Sequence, residues 1–393
     1  MTLSAMHDVT AIAGVGHTGC FKSPPAPYPQ LWLRACREAV ADAGLNLADI
    51  DGMACVETQP QTNAVRPTPF FMAESLGIPA LRWHGGPLGG GIAVGVLGSA
   101  AMAVATGQCN YALAIHTMAA RPERAATAAP YNYLPAERPG GVHAYLAPYG
   151  YGVFIQYIAS WYERLRSVYG IRREQIGRMV VDQRANAVDN PRAVWGEPLT
   201  LEEYLQSRWI AEPLCLLDAD MPVAAAVAYV VTSAERARDL KQRPVKIANV
   251  GTWMGPRSDF VFHDDYTQLL PKQFATEFWA KSGFSPRDMS LAQLHDGFSI
   301  YTPYWLEALG FVSWADMGDF LGEGQLSRHG GVLPTNTHGG NLSEGRFQGG
   351  GHVVEAVLQL RGQAAARQVA DAQACVVTVG GAPYVGAAVL HVT

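Results

Sequence analysis

A histidine that closes an apolar strand and opens a turn is placed to meet a ligand. His295 stands in this position, after Ser290–Leu294 and before Asp296-Gly297-Phe298-Ser299. Its ordinary pKa of about 6.5 suits a general base or a hydrogen-bond donor at neutral pH; a structural histidine bonded to backbone is the alternative. Asp296 is adjacent and faces another way, which fits capping of the helix that follows better than a triad role. Arg346 cannot accept a proton, but its fork suits a carboxylate, a phosphate or an enolate oxygen; the other reading is salt-bridge or surface duty. His338 lies in the loop Asn336-Thr337-His338-Gly339-Gly340, whose glycines permit backbone to approach a ligand closely, so the loop either serves a site or braces itself. Tyr301 and Tyr304 follow His295 where Thr302-Pro303 begins a helix with proline at its first position. Either hydroxyl is a candidate proton donor, and packed aromatics are the alternative. His84 is a further, weaker candidate.

The six cysteines, Cys20, Cys36, Cys55, Cys109, Cys215 and Cys375, are far apart, without a C-x-x-C pair or a histidine at metal spacing. Neither a disulfide framework nor a zinc site is expected. Gly89-Gly90-Gly91 lacks the G-K-[ST] of a phosphate loop and the spacing of a dinucleotide fingerprint, so close helix packing explains it and no bound cofactor is expected.

These residues need a large scaffold. The chain has 393 residues, 49% hydrophobic, and a net charge of −5 without basic runs, which disfavours nucleic acid. No stretch reads as a membrane span or a signal peptide, and a cytoplasmic protein is expected. Val9–Val15, Tyr28–Ala43 and Met53–Val56 alternate as strand, helix and strand, the rhythm of βαβ units around a largely parallel sheet. A helix apolar on every face, and therefore buried, spans about Gly90 to Ala105 and leads into Tyr111–Ile115. Met118–Gly152 reads as a long surface excursion, followed by helices over Val153–Tyr169 and Arg172–Ala187 and a strand over Val223–Val231.

The C-terminal third repeats the opening. Ala39-Val40-Ala41-Asp42-Ala43-Gly44 leads to a strand at Asp49-Ile50-Asp51, and Ala280-Lys281-Ser282-Gly283 to one at Asp288-Met289-Ser290, with the acidic residue five places after the glycine in both. Ala105-Thr106-Gly107-Gln108-Cys109-Asn110 and Val369-Ala370-Asp371-Ala372-Gln373-Ala374 likewise introduce matching strands. Two similar α/β halves fit this, residues 1–244 with a loop region over about 118–222, and residues 245–393.

With these features the chain resembles the thiolase superfamily, in particular its sterol-carrier-protein and lipid-transfer-protein-like branch, which includes bacterial steroid side-chain acyl-CoA aldolases. The resemblance rests on His295-Asp296-Gly297-Phe298-Ser299, which is similar to that branch's HDCFS, on Leu333-Pro334-Thr335-Asn336-Thr337-His338-Gly339-Gly340, and on Gln359-Leu360-Arg361-Gly362. It implies a thiolase fold, two βαβαβαββ halves with both long helices buried at the centre. The departures are specific. Where thiolases carry the nucleophilic cysteine, this chain has Trp83-His84-Gly85-Gly86-Pro87-Leu88-Gly89, with Leu88 the nearest counterpart. Where the histidine of G-H-P-x-G is expected it has Arg346, and Cys375 lies a few residues before the place of the second catalytic cysteine. Covalent acyl transfer needs an activated nucleophile beside its base, and both are missing.

What the resemblance then implies is retro-aldol cleavage of a β-hydroxyacyl-CoA, of which a steroid side-chain thioester is the example this branch offers, with coenzyme A as part of the substrate. The aldolases of this branch are thought to use tyrosines at positions matching His295 and Arg346, and this chain has neither. The resemblance also implies a homodimer and a small OB-fold acyl-CoA-binding partner. A non-catalytic acyl-CoA- or lipid-binding subunit and a cysteine-free acyltransferase are the alternatives.

Overall fold

The computed structural model describes residues 2–58, 66–86, 92–119, 142–255, 261–269, 272–382 and 384–393. Leu88, the glycine run 89–91 and most of the excursion expected over 118–152 lie outside the described residues.

The strands are β1 (Thr10–His17), β2 (Gly52–Thr58), β3 (Trp83–Gly85), β4 (Tyr111–Met118), β5 (Trp209–Ala211), β6 (Leu214–Cys215), β7 (Ala225–Ser233), β8 (Val245–Met254), β9 (Leu291–Gln293), β10 (Ala374–Gly381) and β11 (Tyr384–His391). All but β5 and β6, which pair with each other, form one sheet in the order β3-β2-β4-β7-β1-β8-β11-β10-β9. From its centre at β1 and β8, which pair antiparallel, the order runs outward through β7, β4 and β2 on one side and through β11, β10 and β9 on the other. The expectation of a largely parallel sheet is corrected. Among the named strands of the described residues only β2–β3, β2–β4 and β9–β10 pair parallel; β7 and β11 each run back between parallel neighbours and make their pairings antiparallel.

The sequence repeat has a local physical basis. Gly44 (φ 75°) and Gly283 (φ 72°) end their helices in the left-handed region, where a side chain would be strained. Each is followed by a short 3₁₀ turn, Leu47–Asp49 or Pro286–Asp288, closed by a carboxylate on backbone: Asp49 accepts from Asn46 N at 2.8 Å and Asp288 from Ser285 N at 2.7 Å. The strands begin three residues after these carboxylates, at Gly52 and Leu291, later than the sequence suggests. The second pair matches too, with Gly107 (φ 73°) and Asp371 (φ 51°) both left-handed before β4 and β10.

Helix Tyr28–Ala43 reaches β1 closely because Gly14 and Gly16 have no side chain; a Cβ on either would stand 2.1 Å from a carbonyl oxygen of that helix. Helix Ile92–Ala105 has almost no polar face, and Val94, Val96, Leu97, Ala100 and Ala101 are fully buried. It shares one apolar cluster with helix Gly350–Leu360 and with side chains from both halves of the sheet, including Val227 of β7 and Val377 of β10. Two buried helices at the centre of the molecule follow. Their opposite sheet faces are covered by helix Tyr28–Ala43 on the N-terminal side and by helix Lys272–Ser282 on the C-terminal side, where Phe274 packs on Trp253 of β8 and helices Phe154–Tyr169 and Tyr301–Ala308 join the same apolar cluster. Among the described residues no helix is long and apolar enough to cross a membrane.

Candidate active site

His295 follows β9, and its position is fixed by neighbouring chain. Its backbone N–H donates to Thr378 Oγ1 of β10 at 2.9 Å. The residue before it is held by the Asn336 side chain, which accepts from Leu294 N at 2.8 Å and donates to Leu294 O at 2.9 Å. Asn336 itself sits at φ 51°, a conformation asparagine tolerates better than most residues. The His295 ring is buried, with Nδ1 at 3.2 Å from Asn341 Nδ2 and its centroid 5.5 Å from that of Tyr301. Burial, and secondarily the neighbouring His352, push its pKa down to about 3, so the ring is neutral at physiological pH.

Asp296 does turn away from His295, but it caps a different helix from the one expected. Its Oδ1 accepts from Asn341 N at 2.7 Å and its Oδ2 from Leu342 N at 3.3 Å, in the turn Gly340–Ser343. His352 Nε2 stands 3.3 Å from the same carboxylate and donates to Leu294 O at 3.0 Å. The glycines after His338 serve this arrangement. A Cβ on Gly340 would lie 2.0 Å from Asp296 Oδ2, and one on Gly339 would lie 2.6 Å from Ala187 Cβ, so protein rather than ligand makes the close approach.

Arg346 is fully buried, and its Nε donates to Asp220 Oδ1 at 2.8 Å. Asp220 in turn faces His295 across Gly297. A Cβ built on Gly297 would stand 3.1 Å from His295 Nε2 and 3.4 Å from Asp220 Oδ2, so the absent side chain opens one face to an imidazole and a carboxylate together. Ser299 is occupied elsewhere, donating to Asp218 at 2.6 Å.

His338 is buried, and its Nε2 lies 3.6 Å from Glu344 Oε2; burial pushes its pKa down to about 4. Glu344 is a fully buried carboxylate that also accepts from Asn190 Nδ2 at 3.0 Å and lies 3.5 Å from His17 Nε2. Burial alone would raise its pKa, yet the two histidines and Asn190 hold it well below the usual carboxylate range. Gly351 makes room for it, since a Cβ there would lie 1.8 Å from Glu344 Oε2. Phe347 separates His17 from His116, with ring centroids at 5.7 and 4.9 Å.

The structure therefore gathers His295, Tyr301, Asp220 and Arg346, with His338 in an adjoining polar cluster. It does not bring Tyr304 or His84 to them. The Tyr304 hydroxyl donates to the Tyr266 carbonyl and its ring packs on Trp314, while Pro303 is the third residue of helix Tyr301–Ala308, not the first. His84 is exposed on the edge strand β3. Asp220, Asn341, Glu344, His17, His352 and Cys20 escaped the sequence reading. The only available signal was the density of polar residues in Asn341-Leu342-Ser343-Glu344-Gly345-Arg346, a run that is otherwise unexpected in a buried segment.

His17, Cys20 and Glu344 are the one group among the described residues whose ligand atoms lie close enough to hold a metal, all within 4.8 Å of one another. The donor set does not fit. His17 Nδ1 accepts from Gly19 N at 2.9 Å, so in the neutral ring Nε2 carries the proton and faces Glu344 as a donor. The same observation disarms Cys20 as a nucleophile, because burial and then Glu344 raise its thiol pKa well above the ordinary value and the adjacent histidine offers N–H instead of a lone pair.

Two buried helices between the halves of a mirror-ordered sheet, with polar side chains converging at the ends of β1, β9 and the second helix, define a thiolase-fold protein. The thiolase C-terminal domain-like family matches residues 259–391. Over nearly its whole length the chain is 35% identical to the 17-hydroxy-3-oxo-4-pregnene-20-carboxyl-CoA lyase of Mycobacterium tuberculosis (96% of this chain, 97% of the relative). It is 33% identical to a steroid side-chain-cleaving aldolase of Thermomonospora curvata (98% of each). The solved structure of an Ltp2-ChsH2(DUF35) aldolase superposes with a TM-score of 0.85 at 32% identity, covering 98% of both chains. The chain belongs to the family of thiolase-like steroid side-chain-cleaving aldolases.

Proposed function

We propose that this protein cleaves a β-hydroxyacyl-CoA by retro-aldol chemistry, without a cysteine nucleophile, and that its substrate is a steroid side-chain thioester close to 17-hydroxy-3-oxo-4-pregnene-20-carboxyl-CoA. The observation that carries the reading is the face at Gly297, where a neutral imidazole and a carboxylate paired with Arg346 meet. The reaction needs a base for the β-hydroxyl proton and a donor for the thioester oxygen as it becomes an enolate. We assign the first role to Asp220, oriented by Arg346, and place His295 against the reacting atoms. Tyr301 packs against the His295 ring and shapes the same face. His338 braces the site through Glu344. The products are a short acyl-CoA and a ketosteroid.

The family relationship supports a two-protein enzyme, with the chain as a homodimer that recruits a small DUF35-type, OB-fold partner to hold the acyl-CoA. The test is to incubate the purified protein, alone and with such a partner, with 17-hydroxy-3-oxo-4-pregnene-20-carboxyl-CoA and a panel of simpler β-hydroxyacyl-CoAs. Ketone release with stoichiometric short acyl-CoA is expected. Binding without cleavage across the panel, with the partner present, would overturn the enzymatic reading.

A further inference from the structure

We infer that Asn341 is a positioning residue that fixes the tautomer of His295, so that His295 presents an Nε2–H donor to the reacting thioester and does not serve as the base. This rests on the retro-aldol reading for its chemical meaning, but the tautomer is set by contacts that are independent of it.

The oxygen and nitrogen of an asparagine amide are told apart by what each faces. One amide atom of Asn341 lies 3.2 Å from the backbone N of Phe347, which can only donate, so that atom is the oxygen. The other is then the NH₂, and it lies 3.2 Å from His295 Nδ1. An NH₂ group can only donate, so Nδ1 must accept and carries no proton. In a neutral imidazole the proton is then on Nε2, the atom that flanks the open face of Gly297. Asn341 cannot drift from this position, because its own backbone N–H is bound by Asp296, the residue next to His295. His295, Asp296 and Asn341 thus form a closed ring of contacts in which the carboxylate anchors the amide and the amide orients the imidazole.

The consequence is a division of labour. The β-hydroxyl proton passes to Asp220, the Cα–Cβ electron pair moves onto the thioester as an enolate, and the β-carbon oxygen becomes the ketone oxygen. The enolate oxygen is held by His295 Nε2–H, and Cα then takes a proton from water while Asp220 returns its own to solvent, so protons balance. His295 gains and loses none.

The test uses ¹⁵N-histidine-labelled full-length protein and its Asn341→Asp variant. In the unsubstituted protein the imidazole NMR signature of His295, assigned by its loss in His295→Gln, should be that of an Nε2–H tautomer. A carboxylate in place of the amide can only accept, so Asn341→Asp should move the proton to Nδ1. With 17-hydroxy-3-oxo-4-pregnene-20-carboxyl-CoA, kcat should fall by about 10²-fold to 10³-fold, as for loss of an oxyanion donor, with KM little changed. In the His295→Gln background, whose amide donates whatever residue 341 is, the same substitution should cost less than about fivefold more. An Nδ1–H tautomer in the unsubstituted protein overturns the inference even if Asn341→Asp does not fold. So does full additivity of the two substitutions. If no β-hydroxyacyl-CoA is cleaved while the Nε2–H tautomer is observed, the functional reading falls and the tautomer assignment stands.

Discussion

Arg346 Nε donates to Asp220 Oδ1 across 2.8 Å, and each of the two side chains keeps only 1% of its surface exposed. A buried pair of this kind contributes little net stability compared with an apolar pair, yet removing one partner is costly, about 3–5 kcal/mol, because the remaining charge stays in a low-dielectric interior. Asp220→Asn should therefore lower the denaturation midpoint strongly and abolish cleavage. Adding Arg346→Met should restore much of the stability and none of the activity. Recovery of turnover in the double variant would remove Asp220 from the chemistry and leave the pair a structural role only.

Thiol chemistry should be dispensable. Cys20 is the cysteine nearest to the polar cluster, and it is buried with its thiol held protonated. Treating the native protein with iodoacetamide should leave ketosteroid release largely intact, and Cys20→Ala should retain activity within a fewfold. Rapid inactivation that tracks alkylation of Cys20 would contradict a cysteine-free mechanism.

Stability should fall with acid earlier than carboxylate titration alone would produce. Burial lowers the folded-state pKa of His116 and His295 to about 3 and that of His338 to about 4, against 6.5 for an ordinary histidine. Between these values the unfolded chain binds protons that the folded chain does not. Unfolding free energy then decreases as pH falls from about 6.5, on the order of 1.4 kcal/mol per pH unit for each group. Glu344 adds to the loss below its ordinary carboxylate range, since its folded pKa is lowered as well. Urea titrations from pH 7 to pH 5 should show this slope, and His338→Gln should flatten it. A flat profile above pH 5 would mean that these rings are solvated or already charged.

Much of this fold can be read locally, and much of the site cannot. The helix over Tyr28–Ala43 matches the expectation to the residue, because glycine at C′ and apolar periodicity are written within the segment itself. The paired glycines and carboxylates of the repeat are short-range signals too, since Asp49 and Asp288 bond backbone three residues away. Gln359-Leu360-Arg361-Gly362 carries the family resemblance, and its role proves structural. Gln359 bonds Thr337 and the Arg367 carbonyl, and Arg361 pairs with Asp42 from the N-terminal third at 2.9 Å. Asp220 and Asn341 were not legible, because each acquires its meaning from a partner more than forty residues away, Arg346 and His295 respectively. Sequence proximity points Asp296 to the nearest helix, whereas the chain folds a more distant turn onto it.

At Gly297 the absence of a side chain is itself the functional feature. Gly297 is not in the left-handed region, so alanine is compatible with its backbone, and the new methyl would meet His295 Nε2 at 3.1 Å and Asp220 Oδ2 at 3.4 Å. Those distances are tight but allow relaxation of a few tenths of an ångström, so the fold should survive with a stability loss within the 1–3 kcal/mol typical of mild overpacking. The methyl would also cover the donor and the base together, and reacting atoms held even about 1 Å out of place cost roughly 10²-fold in rate. Gly297→Ala should therefore keep a native circular dichroism spectrum while kcat/KM for the steroid thioester drops by at least that factor. Gly196→Ala is the control, since a Cβ there meets nothing within 4 Å and its backbone is ordinary, and it should leave turnover unchanged. Near-normal cleavage by folded Gly297→Ala would show that the substrate does not approach this face, and the reacting atoms would then have to be placed against the His338 and Glu344 cluster instead.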